Sequence, residues 1–211
     1  TVNDTVDQVI NSYITNLKNL ARQPDIQSMD PARQKPILEA LAATYPEMYL
    51  VSTTDLNGMN LARSDASELV DYRDRLWFRE AVEGAEYSLQ TLIGRSSGQP
   101  ALVAAVPVLD GNAQIVGVCM FASLLTEISA QVLTIDIGET GYVYVIDDQD
   151  QLVAHPDLLP GSSELVSYAS ASPVVALRAG KTPPVIYRDE NGTEWLAYYH
   201  SSNNGWGVVV Q

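Results

Sequence analysis

The chain has 211 residues, 46% of them hydrophobic, and a formal net charge of -14 from 26 acidic against 12 basic residues. That length holds one large domain or two small ones with real cores. The charge repels phosphate backbones and anionic lipid with no Lys/Arg-rich run to offset it, so nucleic acid is not an expected partner. No run of about 18 apolar residues could span a bilayer, and no charged-then-apolar leader opens the chain. Residue 1 runs almost directly into a helical pattern and residue 211 closes a strand pattern, which suggests a fragment of a longer protein. The one cysteine, Cys119, lies in the apolar run Val116 to Phe121 and is expected to be a buried, inert thiol.

Residues 2–21 carry apolar side chains at Val2, Val6, Val9, Ile10, Tyr13, Ile14, Leu17, Leu20 and Ala21, the spacing of an amphipathic helix that Gln23-Pro24 ends. Val2, Val6, Val9, Tyr13 and Leu20 also fit an a/d-like register. The stripe can therefore pack on its own domain or on a second copy. Asp30-Pro31 opens a second helix through Tyr45, which Pro36 is expected to kink or split. Strands are predicted at 48–53 and 59–63, around the turn Asp55-Leu56-Asn57-Gly58.

The stretch Asp71 to Gly84 follows. It sets Arg73 and Arg75 beside Trp77 and Phe78 at the start of a short helix that Gly84 can close at its C′ position. Guanidinium forks with apolar walls suit a small anion. The same residues also fit a surface ion network with Asp71 and Asp74 over core aromatics. Both readings stay open from this stretch alone.

Three strands come next, at 87–95, 100–108 and 115–122, then a helix at 124–133. Beyond Gly138 the order repeats: strands at 142–146 and 152–155, a helix at 173–179 ended by Gly180, and strands at 185–188, 194–199 and 206–210. Turns are expected at Asp147 to Gln151, Asp189 to Gly192 and Asn203 to Gly205. Two strands, a helix and three strands, twice over, predict an α+β chain of two five-stranded antiparallel sheets with helical cover on one side and a junction near 133–141.

The run Gly138-Glu139-Thr140-Gly141-Tyr142-Val143-Tyr144-Val145-Ile146-Asp147, continuing through Leu152 to Pro156, resembles the opening of the membrane-proximal module of the double Cache family, extracytoplasmic sensing domains of prokaryotic histidine kinases and chemoreceptors. Asp71 to Gly84 resembles the pocket segment of that family's membrane-distal module, and Ser97 to Pro107 with Ile115 to Val118 its last two strands. The resemblance implies a long N-terminal helix and linker over 1–29, a distal PAS-like ligand-binding module over 30–134 and a proximal PAS-like module over 135–211. In the amino-acid-binding branch, an Arg, an aromatic two residues on and an adjacent Tyr hold the ligand carboxylate. Arg75, Trp77 and Phe78 match these positions, Phe78 without the hydroxyl. The branch's ammonium-binding Asp falls on Ala122 and its leading Tyr on Val70, so the ammonium anchor is missing. An unpaired buried cation costs several kcal/mol. The expected ligand is therefore a small molecule with an anionic or neutral head, such as an organic acid, held by Arg75 with Arg73 against Trp77 and Phe78, with Tyr87, Met120 and Ala122 lining the site. The membrane is touched only through transmembrane helices absent from the fragment, and a homodimer through the first helix is the other expected partnership.

Other patterns carry less. His155 and His200 lack metal-ligand spacing, so no metal or cofactor is expected, and Asp147 to Gln151 lacks the glycine and distant Glu of a calcium loop. Asn191-Gly192-Thr193 fits a glycosylation sequon, but a type I′ turn explains it. No nucleophile elbow or phosphate loop is present, and no catalytic residue is expected. Two rivals to the sensor remain: a dimerisation scaffold that binds nothing, and a hydrolase using Asp71 and Asp74.

Overall fold

Apolar residues at threes and fours make Val2–Ala21 one helix, α1, with Ile10, Tyr13, Ile14, Leu17 and Leu20 buried. The computed structural model describes residues 2–132, 137, 138, 140–202 and 204–211. Leu133, Glu139, Asn203, the side chain of Val2 and most of the expected 133–141 junction lie outside what it describes. Pro24 starts the short α2 (Pro24–Gln27). Asp30 then caps α3 (Pro31–Thr44), accepting the Ala32 N–H at 2.9 Å. Pro36 does not split α3. At that position it forfeits one ladder hydrogen bond, while Leu38 and Gln34 on the same helix are fully buried.

The strands are β1 (Leu50–Thr54), β2 (Asn60–Arg63), β3 (Ser88–Ile93), β4 (Pro100–Leu109) and β5 (Ile115–Leu124), with α4 (Leu76–Val82) between β2 and β3. They form an antiparallel sheet in the order β2-β1-β5-β4-β3. After α5 (Leu125–Val132) come β6 (Val143–Ile146), β7 (Leu152–Ala154), α6 (Ser172–Arg178), β8 (Val185–Arg188), β9 (Glu194–Ser201) and β10 (Gly207–Val210), ordered β7-β6-β10-β9-β8. Renumbered within each set the two orders are identical, so the repeat read from turn spacing is a repeat of topology. The chain divides into two compact units, Ile10–Leu124 and, with the turns of α1 up to Val9, Leu125–Gln211. Among the described residues no helix is long and apolar enough to cross a membrane.

The first sheet departs from the expected one-sided cover. Met120 and Ala122 pack with Trp77 and Ala81 of α4, whereas their strand neighbour Phe121 meets Tyr13 of α1 edge to face at 5.2 Å. Successive strand residues face opposite ways, so both faces are covered. That is why β4 and β5 read as continuous apolar runs rather than alternating ones. Cys119 is fully buried there, and burial pushes its thiol up to about 12.

Aspartates brace the turns. Asp55 accepts the N–H groups of Asn57 and Met59, both at 2.9 Å, and Asp147 those of Gln149 and Gln151 at 2.9 and 2.8 Å. The acidic run at 147–150 is thus a hairpin turn. Gly84 and Gly180 end α4 and α6 with paired bonds, Gly84 N to Ala81 O and Ala85 N to Glu80 O in the first case, a Schellman closure.

Gly58 has φ of +89°, and a Cβ there would lie 2.6 Å from the Arg73 nitrogen. Gly58→Ala should therefore lower stability by about 1–3 kcal/mol through backbone strain. Urea unfolding checks this, and an unchanged midpoint would contradict it.

Candidate functional site

The Asp71–Arg75 segment is fastened to the β1–β2 turn before α4 begins. Tyr72 N–H donates to the Gly58 carbonyl at 2.7 Å, Met59 and Asp71 form an isolated antiparallel bridge, and the Asp71 carboxylate accepts the Arg73 N–H at 3.0 Å. Arg75 is the extended N-cap of α4, with φ -79° and ψ 136°. This arrangement lays Tyr72, Arg75 and Trp77 against the sheet. They line a cavity with Tyr49, Leu92, Arg95, Met120 and Ala122 that encloses about 10 Å³, room for about one water.

Most of the charges around it are balanced pair by pair. Arg63, at the end of β2, has a side chain 1% exposed and donates to both carboxylate oxygens of Asp65 at 2.7 and 2.8 Å, to Ser96 at 2.9 Å and to Asn60 at 3.1 Å. Its guanidinium, with Ser67 assisting, holds the Asp65 carboxyl below the usual carboxylate range. Arg95 lies over the Tyr72 ring at 5.7 Å and donates to Asp74 at 2.7 Å and to the Asp71 carbonyl. Arg73 pairs with Asp71 at 2.6 Å. Arg75 makes no ion pair among the described residues: its Nη2 donates to the Ile93 carbonyl at 3.3 Å. A half-buried guanidinium without a counter-charge, beside apolar walls, is equipped to take an anion.

The residues singled out from sequence separate in space. Arg75, Trp77, Met120 and Ala122 line the same cavity. Phe78 is buried beside Trp77, rings perpendicular with centroids 6.1 Å apart, in the core below rather than in the lining. Arg73 is turned out to solvent, its side chain 68% exposed. Tyr87 lies elsewhere, under the Lys18 ammonium at 5.3 Å. Tyr49, Tyr72, Arg95 and the Arg63–Asp65 pair were not read from sequence. Asp71 and Asp74 carry no sign of acid–base work, since hydrogen bonds from Arg73 and Arg95 hold their carboxyls below the ordinary range. Among the described residues no cluster of His, Cys, Asp or Glu could hold a metal.

The family model described as Cache domain matches residues 1–211, the whole chain. Among solved structures, the ligand-binding domain of the Pseudomonas fluorescens chemoreceptor CtaA in complex with L-serine is 19% identical, with a TM-score of 0.76 over 99% of this chain and 91% of that one. The ligand-binding domain of the Pseudomonas aeruginosa PAO1 amino acid chemoreceptor PctC in complex with GABA is 17% identical, TM-score 0.71, over 99% and 93%. The extracellular domain of the histidine kinase rpHK1S-Z16 is 18% identical, TM-score 0.70, over 97% and 94%. No curated protein is found to be similar to the chain.

Asp65→Asn should strand the buried Arg63 charge and cost about 3 kcal/mol. In the wild type the depressed carboxyl value means that the pair stabilises fully above about pH 4, the unfolded Asp value, and less as pH falls through the folded value. Denaturant titrations at several pH values should show wild-type stability falling below pH 4 and a flatter profile in the variant. Equal slopes would contradict this role for the pair.

Proposed function

We propose that this chain, which belongs to the Cache domain family, is the extracytoplasmic sensing part of a transmembrane signalling receptor and that its first-sheet unit grips a small carboxylate through Arg75. The observation that carries this reading is that Arg63, Arg73 and Arg95 each hold a carboxylate whereas Arg75 holds only the Ile93 carbonyl, at 3.3 Å. A ligand carboxylate offers a charge-assisted bond that a distant neutral carbonyl does not match. Trp77, Leu92, Met120 and Ala122 supply the apolar wall.

Among the described residues no carboxylate lines the cavity. An amino group there would sit without a counter-charge, which favours an organic acid over an α-amino acid. The structures named above carry L-serine and GABA, both carboxylates, in receptors of the same fold. They support the anionic half of the site and differ from this chain in ligands that also carry an amine.

Entry requires opening, because the cavity encloses only about 10 Å³. Arg95, one of the lining residues, is tied to Asp74 by an exposed pair, and a pair of that kind is worth about 0–1 kcal/mol, so it is a low barrier. The ligand then takes Arg75 and favours one of two arrangements of the segment on which α4 sits. In this reading the unit over 30–134 is membrane-distal, that over 135–211 is proximal, α1 offers a face to a second copy, and transmembrane helices outside this sequence carry the signal inward. The size of that signal is bounded by the ligand's unequal affinity for the two states.

Thermal shift of the purified domain against acetate, lactate, succinate, L-serine and GABA tests the proposal. One or more of the plain carboxylates should raise Tm by mass action, and more than the amino acids do. Arg75→Ala should weaken that ligand about 10- to 100-fold, with Arg75→Lys between. A fold-intact Arg75→Ala variant that binds as the wild type would contradict the role of Arg75, and no response to any carboxylate would favour the scaffold reading.

A further inference from the structure

The second-sheet unit has a cavity of its own, about 400 Å³, walled by Tyr142, Tyr144, Tyr168 and Tyr187, with Asp189 and Glu190 among its lining residues. That volume lies within the range of small-molecule sites, roughly 300–1,000 Å³. The rings are held in place. Gln211 donates to the Tyr142 hydroxyl at 2.6 Å and accepts from the Tyr187 hydroxyl at 2.7 Å. Tyr168 meets His155 Nε2 at 3.1 Å, and the Tyr144 and Tyr168 rings stand edge to face at 5.2 Å. His155 Nδ1 accepts the Asp157 N–H at 3.0 Å, so Nε2 carries the ring proton and donates to the Tyr168 oxygen. The Tyr144 hydroxyl is buried with no hydrogen-bond partner among the described residues. Burial raises all these phenols, Tyr168 to about 12, so the rings are neutral at physiological pH.

The charges on the rim are of one net sign. Asp189 accepts the indole N–H of Trp195 at 2.9 Å and the Thr193 N–H at 2.9 Å, and these bonds hold it ionised. Arg188, the one basic residue among the described lining residues, is already paired with Glu194 at 3.0 Å. Neutral aromatic faces attract cations through their quadrupole, and pre-fixed rings lose little freedom on binding. We propose that this cavity binds a small organic cation of the quaternary or methylated ammonium class, with the tyrosine rings as walls and Asp189 and Glu190 as counter-charges. An anion would face the two carboxylates with no unpaired cation among the described lining residues to meet it. The proposal is independent of the Arg75 reading.

The test is calorimetric titration of the purified domain with choline and with 3,3-dimethylbutan-1-ol, its neutral isostere of the same shape. Choline should bind at least about ten-fold more tightly. Tyr187→Phe, which keeps the ring, should stay within about two-fold of wild type, while Tyr187→Leu should lose about five-fold or more. Glu190→Gln, on an exposed residue, should weaken choline about two-fold, and Arg75→Ala should leave it unchanged. Equal affinity for the two compounds overturns the proposal, as does the absence of choline binding at millimolar concentration. Both readouts use the wild-type protein, so they stand even if a tyrosine variant fails to fold.

Discussion

The first-sheet unit is organised around a charge left over. Arg63 has Asp65, Arg73 has Asp71 and Arg95 has Asp74, and in the middle Arg75 reaches only a backbone carbonyl. A guanidinium in that position is tolerable because it is half-buried and keeps contact with water, and it is useful because it is not already neutralised. Local backbone chemistry puts it there. The Gly58 turn accepts the incoming Tyr72 N–H, the Asp71 side chain bends the chain at Arg73, and α4 starts with Arg75 as its extended cap. A change at Gly58 would therefore act on the site through the segment it anchors and not through contact with a ligand.

The chain uses one strand order twice and equips the copies differently. In the first sheet, α4 presses Trp77 onto Met120 and Ala122, and the space that remains is about 10 Å³. In the second, residues 155–171 take the place of the 64–75 connection of the first, and the ring cluster of Tyr142, Tyr144, His155 and Tyr168 borders a cavity of about 400 Å³. One cavity offers a guanidinium with no ion pair among the described residues and the other neutral rings beside carboxylates, which is why we propose ligands of opposite charge for the two units. A sheet of this order leaves one face to be covered by whatever connects its second and third strands, and that connection sets the chemistry.

Much of the architecture was legible because it is written in local signals. Strand spans followed from apolar runs bounded by Asp, Asn and Gly turns, and the bracing bonds at Asp55, Asp147 and Asp189 are the reason those turn residues stand where they do. Helix ends followed from Asp30-Pro31, Gly84 and Gly180. What escaped is non-local. Arg63 read as the polar end of a strand, and only the pairing of Ser52 with Arg63 brings it under Ser96 and Tyr72, residues 33 and 9 positions away. Arg95 read as the polar end of a strand, whereas its partners lie more than 20 residues earlier. Arg73 and Arg75 look alike in the stretch itself, where only the family resemblance put Arg75 first, and the turn at Asp71 sends one to solvent and the other inward. The two-sided cover of the first sheet was hidden for a related reason: a strand buried on both faces loses the alternation that marks a buried side.

A ligand-bound crystal structure tests the central claim most directly. With a small carboxylate that stabilises the domain, the account predicts its oxygens within hydrogen-bonding distance of the Arg75 guanidinium, the bond to the Ile93 carbonyl broken and the cavity beside Trp77 enlarged. A carboxylate seated elsewhere, with Arg75 still resting on Ile93 and the cavity closed, would contradict it.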